Sequence, residues 1–532
     1  MRSVLIRCDA SLSIGSGHVM RCRNLARQLH RLGAVVTFLC RRQAGDLIDL
    51  LEQEFAVLPL PELIPSDSED LTDRALYRAW LGCSQAQDAA DCLHALRSAS
   101  FGNPDWLVVD HYGLDASWES LFLEAQLGEA SPKLLVIDDL ADRPHKADLL
   151  LDQNFFGELT EHRYNDLVPQ HCCKLLGPHY ALLGSEYAQL HPLVPNRKEL
   201  QRVLVFFGGV DPTNLTARSL EALMHPALAH LAVDVVIGRQ SLHWDTVAHL
   251  VAQRPFTTLH GPLPSLAGLI ARADLAIGAA GATTWERACL KLPSLVVSIA
   301  SNQDHISKAL NRRGLLRLLG DSATVTAEQI CAALMSLLGD FRPLEAGGDL
   351  TDGCGVKRLA LAMLGPQSLI RLQRAEACDE ALLLRWANDP QVRASSFSPA
   401  PIASLDHHKW FCQGLADPNR LLLIATANDC PIGQIRFDRQ PPSTEVGCTE
   451  VTVDISIDRC ARGFGLSSDL VRLGLQAMER NWGSDIEAVA DVLKTNPASN
   501  ACFKRAGFTQ ERVSREDTSF RAVNRWRCRL SS

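Results

Sequence analysis

The sequence predicts two doubly wound α/β domains that face a common cleft, followed by a smaller α+β domain. Three observations carry this. The chain has 532 residues, and at roughly 150 residues per domain that length suits about three domains, each able to bury its own core. Short β-branched runs alternate with helical patterns in two successive series, the signature of βαβ units that feed a parallel sheet. Beyond about residue 365 the order changes to a strand, helices, a meander, a helix, a strand and another helix, which suits one α+β domain.

The first series runs from Ser3–Arg7 (SVLIR) through AVVTFL, DWLVVDHY and KLLVIDDL to ADLLLDQN, and it closes near residue 190. The stretch His191–Gln201 is polar with two prolines and reads as a linker, so the first domain spans 1–190 and the second 201–345. The second series opens on RVLVFFGG and continues through LAVDVVIG, ADLAIGAAG and PSLVVSIA, with helices expected at Thr284–Lys291 and Gln303–Arg313. A loop-like stretch, Arg342–Gly355, and one amphipathic helix, Val356–Leu364, precede the third domain, 368–532, whose meander is LLLIATAN, PIGQIRFD and VTVDISID.

Composition narrows the function classes. Hydrophobic residues make up 46% and charged residues 21%, too apolar for extended disorder. With 53 Lys+Arg against 61 Asp+Glu the net charge is −8, and no dense basic run appears, which speaks against nucleic acid or an anionic membrane as partner. Arg7 and Asp9 interrupt the N-terminus before signal-peptide length, and no segment offers 18 uninterrupted apolar residues. A cytoplasmic, soluble protein acting on small molecules is expected. The 17 cysteines show no CxxC or Cys/His spacing suited to zinc, so no metal is predicted and the thiols read mainly as small buried hydrophobes.

Two loops carry the first chemistry. After the first strand, Ile14-Gly15-Ser16-Gly17-His18 opens onto a helix through Val19, Leu25, Ala26 and Leu29 that Gly33 ends. Gly15 and Gly17 let a ligand approach the backbone, and the free N–H groups of the first turn favour a phosphate. His18 at that helix start feels the positive end of the dipole, which favours the neutral imidazole a general base must be. In the second series Phe207-Gly208-Gly209 and Gly278 to Gly281, followed by Thr283 and Glu286, repeat the arrangement of strand, small residues and helix. Glu286 can accept two ribose hydroxyls or simply compensate the helix dipole. Two such Rossmann-like domains define a cleft at the carboxyl ends of their sheets.

GSGHVMRC, WLGCSQAQDA (Trp80–Ala89), DWLVVDHYGLD (Asp105–Asp115), DDLADRPH, LLLDQN and GATTWERACLKLPSLVVSIASNQ together resemble the UDP-sugar hydrolase family of pseudaminic acid biosynthesis, in order over roughly the first 365 residues. The resemblance implies a fold like that of the two-Rossmann, glycosyltransferase-B-like enzymes. It also implies cleavage of UDP-2,4-diacetamido-2,4,6-trideoxy-β-L-altropyranose, with His18 as base, Tyr112 assisting, Asn302 on the substrate, and Gly15, Gly17, Gly209, Gly281, Thr283 and Glu286 around UDP. Gly184 departs from the family, which more often has an arginine there. UDP is already a good leaving group that helix-terminal amides can hold, so one base suffices to activate water.

In the third domain VTVDISID leads into Arg459-Cys460-Ala461-Arg462-Gly463-Phe464-Gly465-Leu466-Ser467 and a helix, a loop able to grip a pyrophosphate. With NPASNACFKRAGF (Asn496–Phe508), WANDPQVR and HKWF, this pattern resembles the GNAT acetyltransferase family over about residues 368–530. The resemblance implies acetyl-CoA as co-substrate, held by Arg462, Gly463, Gly465, Ser467, Asn496 and Asn500 against the strands Val451–Ile457 and Ile486–Leu493. Phe503 stands where many members have the tyrosine that protonates the departing thiolate, and phenylalanine has no proton to donate. Asp454 and Glu450 are the candidate bases. Joined, the two resemblances imply N-acetylation of the 4-amino UDP-sugar followed by hydrolysis. The alternatives are a UDP-sugar glycosyltransferase on the same cleft, or a hydrolase with a non-catalytic acetyl-CoA-binding domain.

Overall fold

The computed structural model describes residues 2–63, 73–125, 130–339, 341, 350–440, 449–483, 486–511, 515–516 and 522–530. The stretch 342–349, in the expected loop after the second series, lies outside the described residues, as does the expected domain end at 345. The chain forms two compact units, Met1–Leu359 and Ala360–Ser532.

The first unit holds two sheets. Strands β1 (Ser3–Cys8), β2 (Val35–Arg41), β3 (Ala56–Leu60), β4 (Trp106–Asp110), β5 (Lys133–Ile137), β6 (Leu149–Asp152) and β7 (Cys173–Leu176) lie in the order β3-β2-β1-β4-β5-β6-β7. All pairs are parallel. The second sheet, β8 (Arg202–Phe206), β9 (Ala232–Val236), β10 (Thr257–His260), β11 (Leu275–Ala279), β12 (Ser294–Ser298) and β13 (Arg317–Asp321), repeats the order as β10-β9-β8-β11-β12-β13, again all parallel. Each is the Rossmann order, with its switch point between the first and fourth strands, where the crevice for a ligand opens at the carboxyl ends.

The central strands are largely apolar because helices cover both faces; the exception in β1 is Arg7, buried in ion pairs with Asp9 and Asp88. Leu5, Leu107, Val109, Leu134 and Val136 anchor the first core, and Val203, Val205, Val233, Val235, Ile277 and Leu295 the second. The strands without an expected counterpart, β3, β7, β10 and β13, are short edge strands. Pro59 sits in β3, where an edge position tolerates a missing N–H.

The stretch His191–Gln201, expected as a linker, is stapled to the second sheet's side of this unit. Buried Arg197 donates to the carbonyls of Ile270, Ala273, Leu290 and Lys291, and burial without a carboxylate at hydrogen-bond distance pushes its guanidinium down to about 10. The chain then returns to the first lobe. A Cβ on Gly355 would stand 2.3 Å from the Ala181 carbonyl oxygen, so only glycine permits that close approach. Arg358 fixes the return by donating to the His179 carbonyl at 3.0 Å and to Asp352.

The second unit is a mixed sheet of β14 (Arg371–Arg374), β15 (Arg420–Ala427), β16 (Cys430–Arg439), β17 (Thr449–Ile457), β18 (Ile486–Leu493), β19 (Thr509–Gln510), β20 (Arg515–Glu516) and β21 (Ala522–Leu530). Its order is β14-β15-β16-β17-β18-β21-β19, with β20 beside β21. Every pair is antiparallel except β17 and β18. Those two pair only from Thr449 to Thr452 against Ile486 to Val489. Beyond that they part, and a notch opens between Val453–Ile457 and Ala490–Leu493.

Among the described residues no helix is long and apolar enough to cross a membrane, and no group of three His, Cys, Asp or Glu is placed to hold a metal ion. The described cysteines are all free thiols; nine are buried, while Cys378 and Cys412 are exposed.

Candidate active sites

β1 delivers the chain into the first glycine loop, and the helix Gly17–Arg31 follows. Gly15 has φ +80°, which glycine adopts without strain, and its amide donates to the Ser11 carbonyl at 2.8 Å. A Cβ built on Gly15 or Gly17 would meet nothing within 4 Å, so both glycines border open space.

His18 is buried in the first turn of that helix. Its Nδ1 lies 2.6 Å from Oδ1 of Asp110, the last residue of β4, which holds the tautomer with hydrogen on Nδ1 and leaves the Nε2 lone pair free. One turn on, Arg21 donates to both oxygens of Asp110 at 2.7 Å and to Oδ2 of Asp139 at 2.7 Å. Tyr112 Oη donates to the same Asp139 oxygen at 2.5 Å, and its ring meets His18 edge-on with centroids 4.5 Å apart. Trp80 stacks on Tyr112, centroids 5.8 Å apart. Asp139 Oδ1 accepts from Asn154 Nδ2 at 2.8 Å, and Asn154 Oδ1 accepts from Trp285 Nε1 at 3.1 Å. One chain of polar contacts thus runs from His18 to the helix Thr283–Cys289 of the second lobe.

The electrostatics of this chain follow from burial and pairing. Burial alone would raise the Asp110 carboxyl, but the Arg21 guanidinium and the His18 ring hold it well below the usual carboxylate range. Burial, reinforced by the Asp139 charge, pushes the Tyr112 hydroxyl well above its ordinary value, so it stays protonated and donates.

In the second lobe a Cβ on Gly209 would also meet nothing within 4 Å, and one on Gly281 would approach only Gln303 Nε2, at 3.8 Å. Thr283 opens the helix after β11, and its hydroxyl accepts from buried Arg287 at 3.2 Å. Burial pushes the Glu286 carboxyl up to about 7, against the opposing influence of the Tyr187 hydroxyl and Arg287. Its Oε2 is buried without a partner. Asn302 lies in the first turn of Ser301–Arg312, after β12, half-buried. At Gly184 the Glu186 carboxylate folds to within 2.5 Å of where a Cβ would stand, so a larger residue there must displace it.

In the second unit the loop after β17 has Gly463 at φ +84° and Gly465 at φ +74°, both facing open space. The helix Leu466–Trp482 begins there. A cavity of about 1000 Å³ occupies the notch, lined by Arg462, Gly463, Gly465, Ser467, Asn496 and Phe503 among others. Arg462 pairs with Asp389 at 2.9 Å, which ties WANDPQVR to the loop. Asn496 caps the helix Pro497–Arg505 through Ser499 N at 3.0 Å.

Asn500 differs from its expected place on acetyl-CoA. Its Oδ1 accepts from Trp526 Nε1 and Asn524 Nδ2, and its Nδ2 donates to the carbonyls of Leu493 and Asn496. With those groups spent it clamps β18, β21 and the Pro497–Arg505 helix together and does not line the cavity. The two candidate bases also separate: Glu450 is bound to Arg525 and Arg527 on the β21 side, whereas Asp454 lines the cavity.

Sequence reasoning named His18 and Tyr112 but not Asp110, Arg21, Asp139 and Asn154, although each stands in a quoted motif. The signal was present. Asp110 ends β4 and Asp152 ends β6, Asp138 and Asp139 follow β5 between them, and Arg21 shares the helix face of His18 at i+3.

Residues 369–509 match the model of the acetyltransferase (GNAT) domain. The second unit is a GNAT acetyltransferase domain. The GNAT domain covers the notch, the glycine loop and the Asn496 helix described above. Over 98% of this chain and 99% of its own length, the uncharacterized protein MJ1062 of Methanocaldococcus jannaschii is 22% identical. The UDP-2,4-diacetamido-2,4,6-trideoxy-beta-L-altropyranose hydrolase of Campylobacter jejuni is 25% identical over 58% of this chain and 97% of its own. The spore coat polysaccharide biosynthesis protein SpsG of Bacillus subtilis is 23% identical over 66% of this chain and 95% of its own. The chain therefore joins a body related to this hydrolase and to SpsG with a GNAT domain.

Proposed function

We propose that the chain is a two-activity sugar-nucleotide enzyme acting in the cytoplasm. Its first unit hydrolyses UDP-2,4-diacetamido-2,4,6-trideoxy-β-L-altropyranose, and its GNAT domain acetylates the 4-amine of the precursor from acetyl-CoA. The observation that carries the hydrolase reading is His18, held by Asp110 through Nδ1 with Nε2 free beside the open glycine loop. His18 Nε2 takes a proton from water, and the water oxygen bonds to the anomeric carbon on the face opposite the leaving group. The C1–O bond breaks, its electron pair leaves with UDP, and the sugar inverts. Asp110 stabilises the imidazolium as it forms. The phenol of Tyr112, protonated and edge-on to His18, fixes the ring. Gly15, Gly17, Gly209, Gly281 and Thr283 border the space for the diphosphate, Glu286 takes the ribose, and Asn302 takes the sugar.

In the GNAT domain Arg462, Gly463, Gly465, Ser467 and Asn496 border the pyrophosphate and pantetheine path, with Asn500 as the clamp behind them. The parting of β17 and β18 supports a thioester lying between them. The test is incubation of the full chain with acetyl-CoA and the 4-amino UDP-sugar, followed by NMR. Free CoA should appear first and UDP with the free sugar second; His18→Asn should bind UDP yet release none. A glycoside product, or undiminished UDP release from His18→Asn, overturns the hydrolase reading.

A further inference from the structure

Folded proteins pair nearly all their buried polar atoms, so unpaired ones that converge on a hollow mark where a ligand brings the missing partners. Among the described residues, Nδ1 and Nε2 of His407, Oε1 of Gln434 and Nε of Arg393 are buried without a hydrogen-bond partner, and all three residues line the GNAT cavity. His407 stands out, being 3% exposed with both ring nitrogens unpaired.

His407 sits on the helix Ser404–Ala416, its ring parallel to Phe411 with centroids 6.0 Å apart and 5.4 Å from Trp410. Apolar and aromatic packing fixes the ring without a polar tether. Burial lowers its proton affinity, against the pull of Glu380 and together with the push of His408, so the ring is neutral near pH 7. On β16, Gln434 Nε2 donates to Asp454 at 3.4 Å, which leaves Oε1 as the free acceptor. Asp406 and Asp454 line the same cavity, as do Arg393, Arg436 and Arg462, with Arg436 3.5 Å from Asp454.

We propose that His407 is the proton acceptor for acetyl transfer in the GNAT domain, with Gln434 Oε1 orienting an N–H of the incoming primary amine. This rests on the reading that the domain acylates an amine. The ammonium form first gives one proton to water; the freed amine nitrogen then bonds to the thioester carbonyl carbon, the C–S bond breaks with its electron pair on sulfur, and the nitrogen loses its second proton to a ring nitrogen of His407. The thiolate leaves and takes its proton from water, since Phe503 has no hydroxyl to give.

The test compares the full chain with His407→Ala and His407→Asn, using acetyl-CoA with the 4-amino UDP-sugar and, as a generic probe, ethanolamine. Acetyl-CoA affinity is measured by calorimetry alongside CoA release. Both variants should bind acetyl-CoA within about two-fold of the parent and lose about 10²- to 10³-fold in kcat, and added imidazole should restore rate to His407→Ala but not raise that of the parent. Unchanged kcat, or a loss that imidazole does not mend in a variant that still binds acetyl-CoA, overturns the assignment; if His407→Ala fails to fold, the kcat of His407→Asn decides. A parent chain that acetylates neither amine overturns the acetyltransferase reading itself and this inference with it, whereas variants as fast as an active parent overturn this inference alone.

Discussion

Glu286→Gln separates what the Glu286 carboxyl does for the fold from what it does for a ligand. Burial raises this carboxyl from 4.5 to about 7, equivalent to at most about 3 kcal/mol in favour of the protonated form. The folded chain keeps a proton there that the unfolded chain gives up, so stability falls as pH rises from about 4.5 through about 7, and the full cost stands above that window. Glutamine is isosteric and carries no charge. In urea unfolding of the first unit the variant should therefore exceed the parent by up to about 3 kcal/mol at pH 8 and by about 1 kcal/mol or less at pH 5.

Ligand binding should run the opposite way. A carboxylate that accepts two ribose hydroxyls must be ionised, so UDP binding to the parent should expel about 0.8 proton at pH 6.5 and about 0.1 at pH 8. Calorimetry in buffers of different ionisation enthalpy reads this directly, and the variant should bind more weakly with no proton release. Heats independent of buffer at pH 6.5, together with unchanged UDP affinity in Glu286→Gln, would refute the reasoning.

Two further perturbations bear on the other machinery. Asp110→Asn keeps the shape beside His18 but loses the charge that fixes the tautomer and pairs with Arg21, so UDP release should fall by about 10²- to 10⁴-fold while CoA release from the GNAT domain is unchanged. Gly465→Val places a branched side chain at φ +74°, a strain of about 1–2 kcal/mol; acetyl-CoA affinity should drop about ten-fold or more by calorimetry while UDP affinity stays as in the parent.

The central strands, the glycine loops at 15–17 and 463–465, and the helices that follow them were legible in the sequence because each is written locally. Apolar runs mark buried parallel strands, and glycine marks the left-handed turns that Gly15, Gly463 and Gly465 adopt. The edge strands β3, β7, β10 and β13 left little such signal, since a strand paired on one side is short and needs no long apolar run. Asn496 and Asn500 look equivalent in NPASN, yet one caps a helix at the cavity and the other is consumed by Trp526 and Asn524, partners brought to it by the pairing of β18 with β21.

By itself, then, the sequence determined the fold class, the order of the strand and helix series, and the place of the glycine loops before their helices, because hydrophobic period and turn chemistry act over a few residues. Only the tertiary structure decided which charges meet. Asp110, Asp139 and Asn154 lie at or just past the ends of β4, β5 and β6, far in sequence from His18 and Arg21, and the strand order β1-β4-β5-β6 gathers them at the carboxyl end of the first sheet. The contact of Asn154 with Trp285 and the unpaired His407 in the GNAT cavity have the same origin. A hydrogen bond between distant residues is set by how elements pack, and no local pattern encodes that.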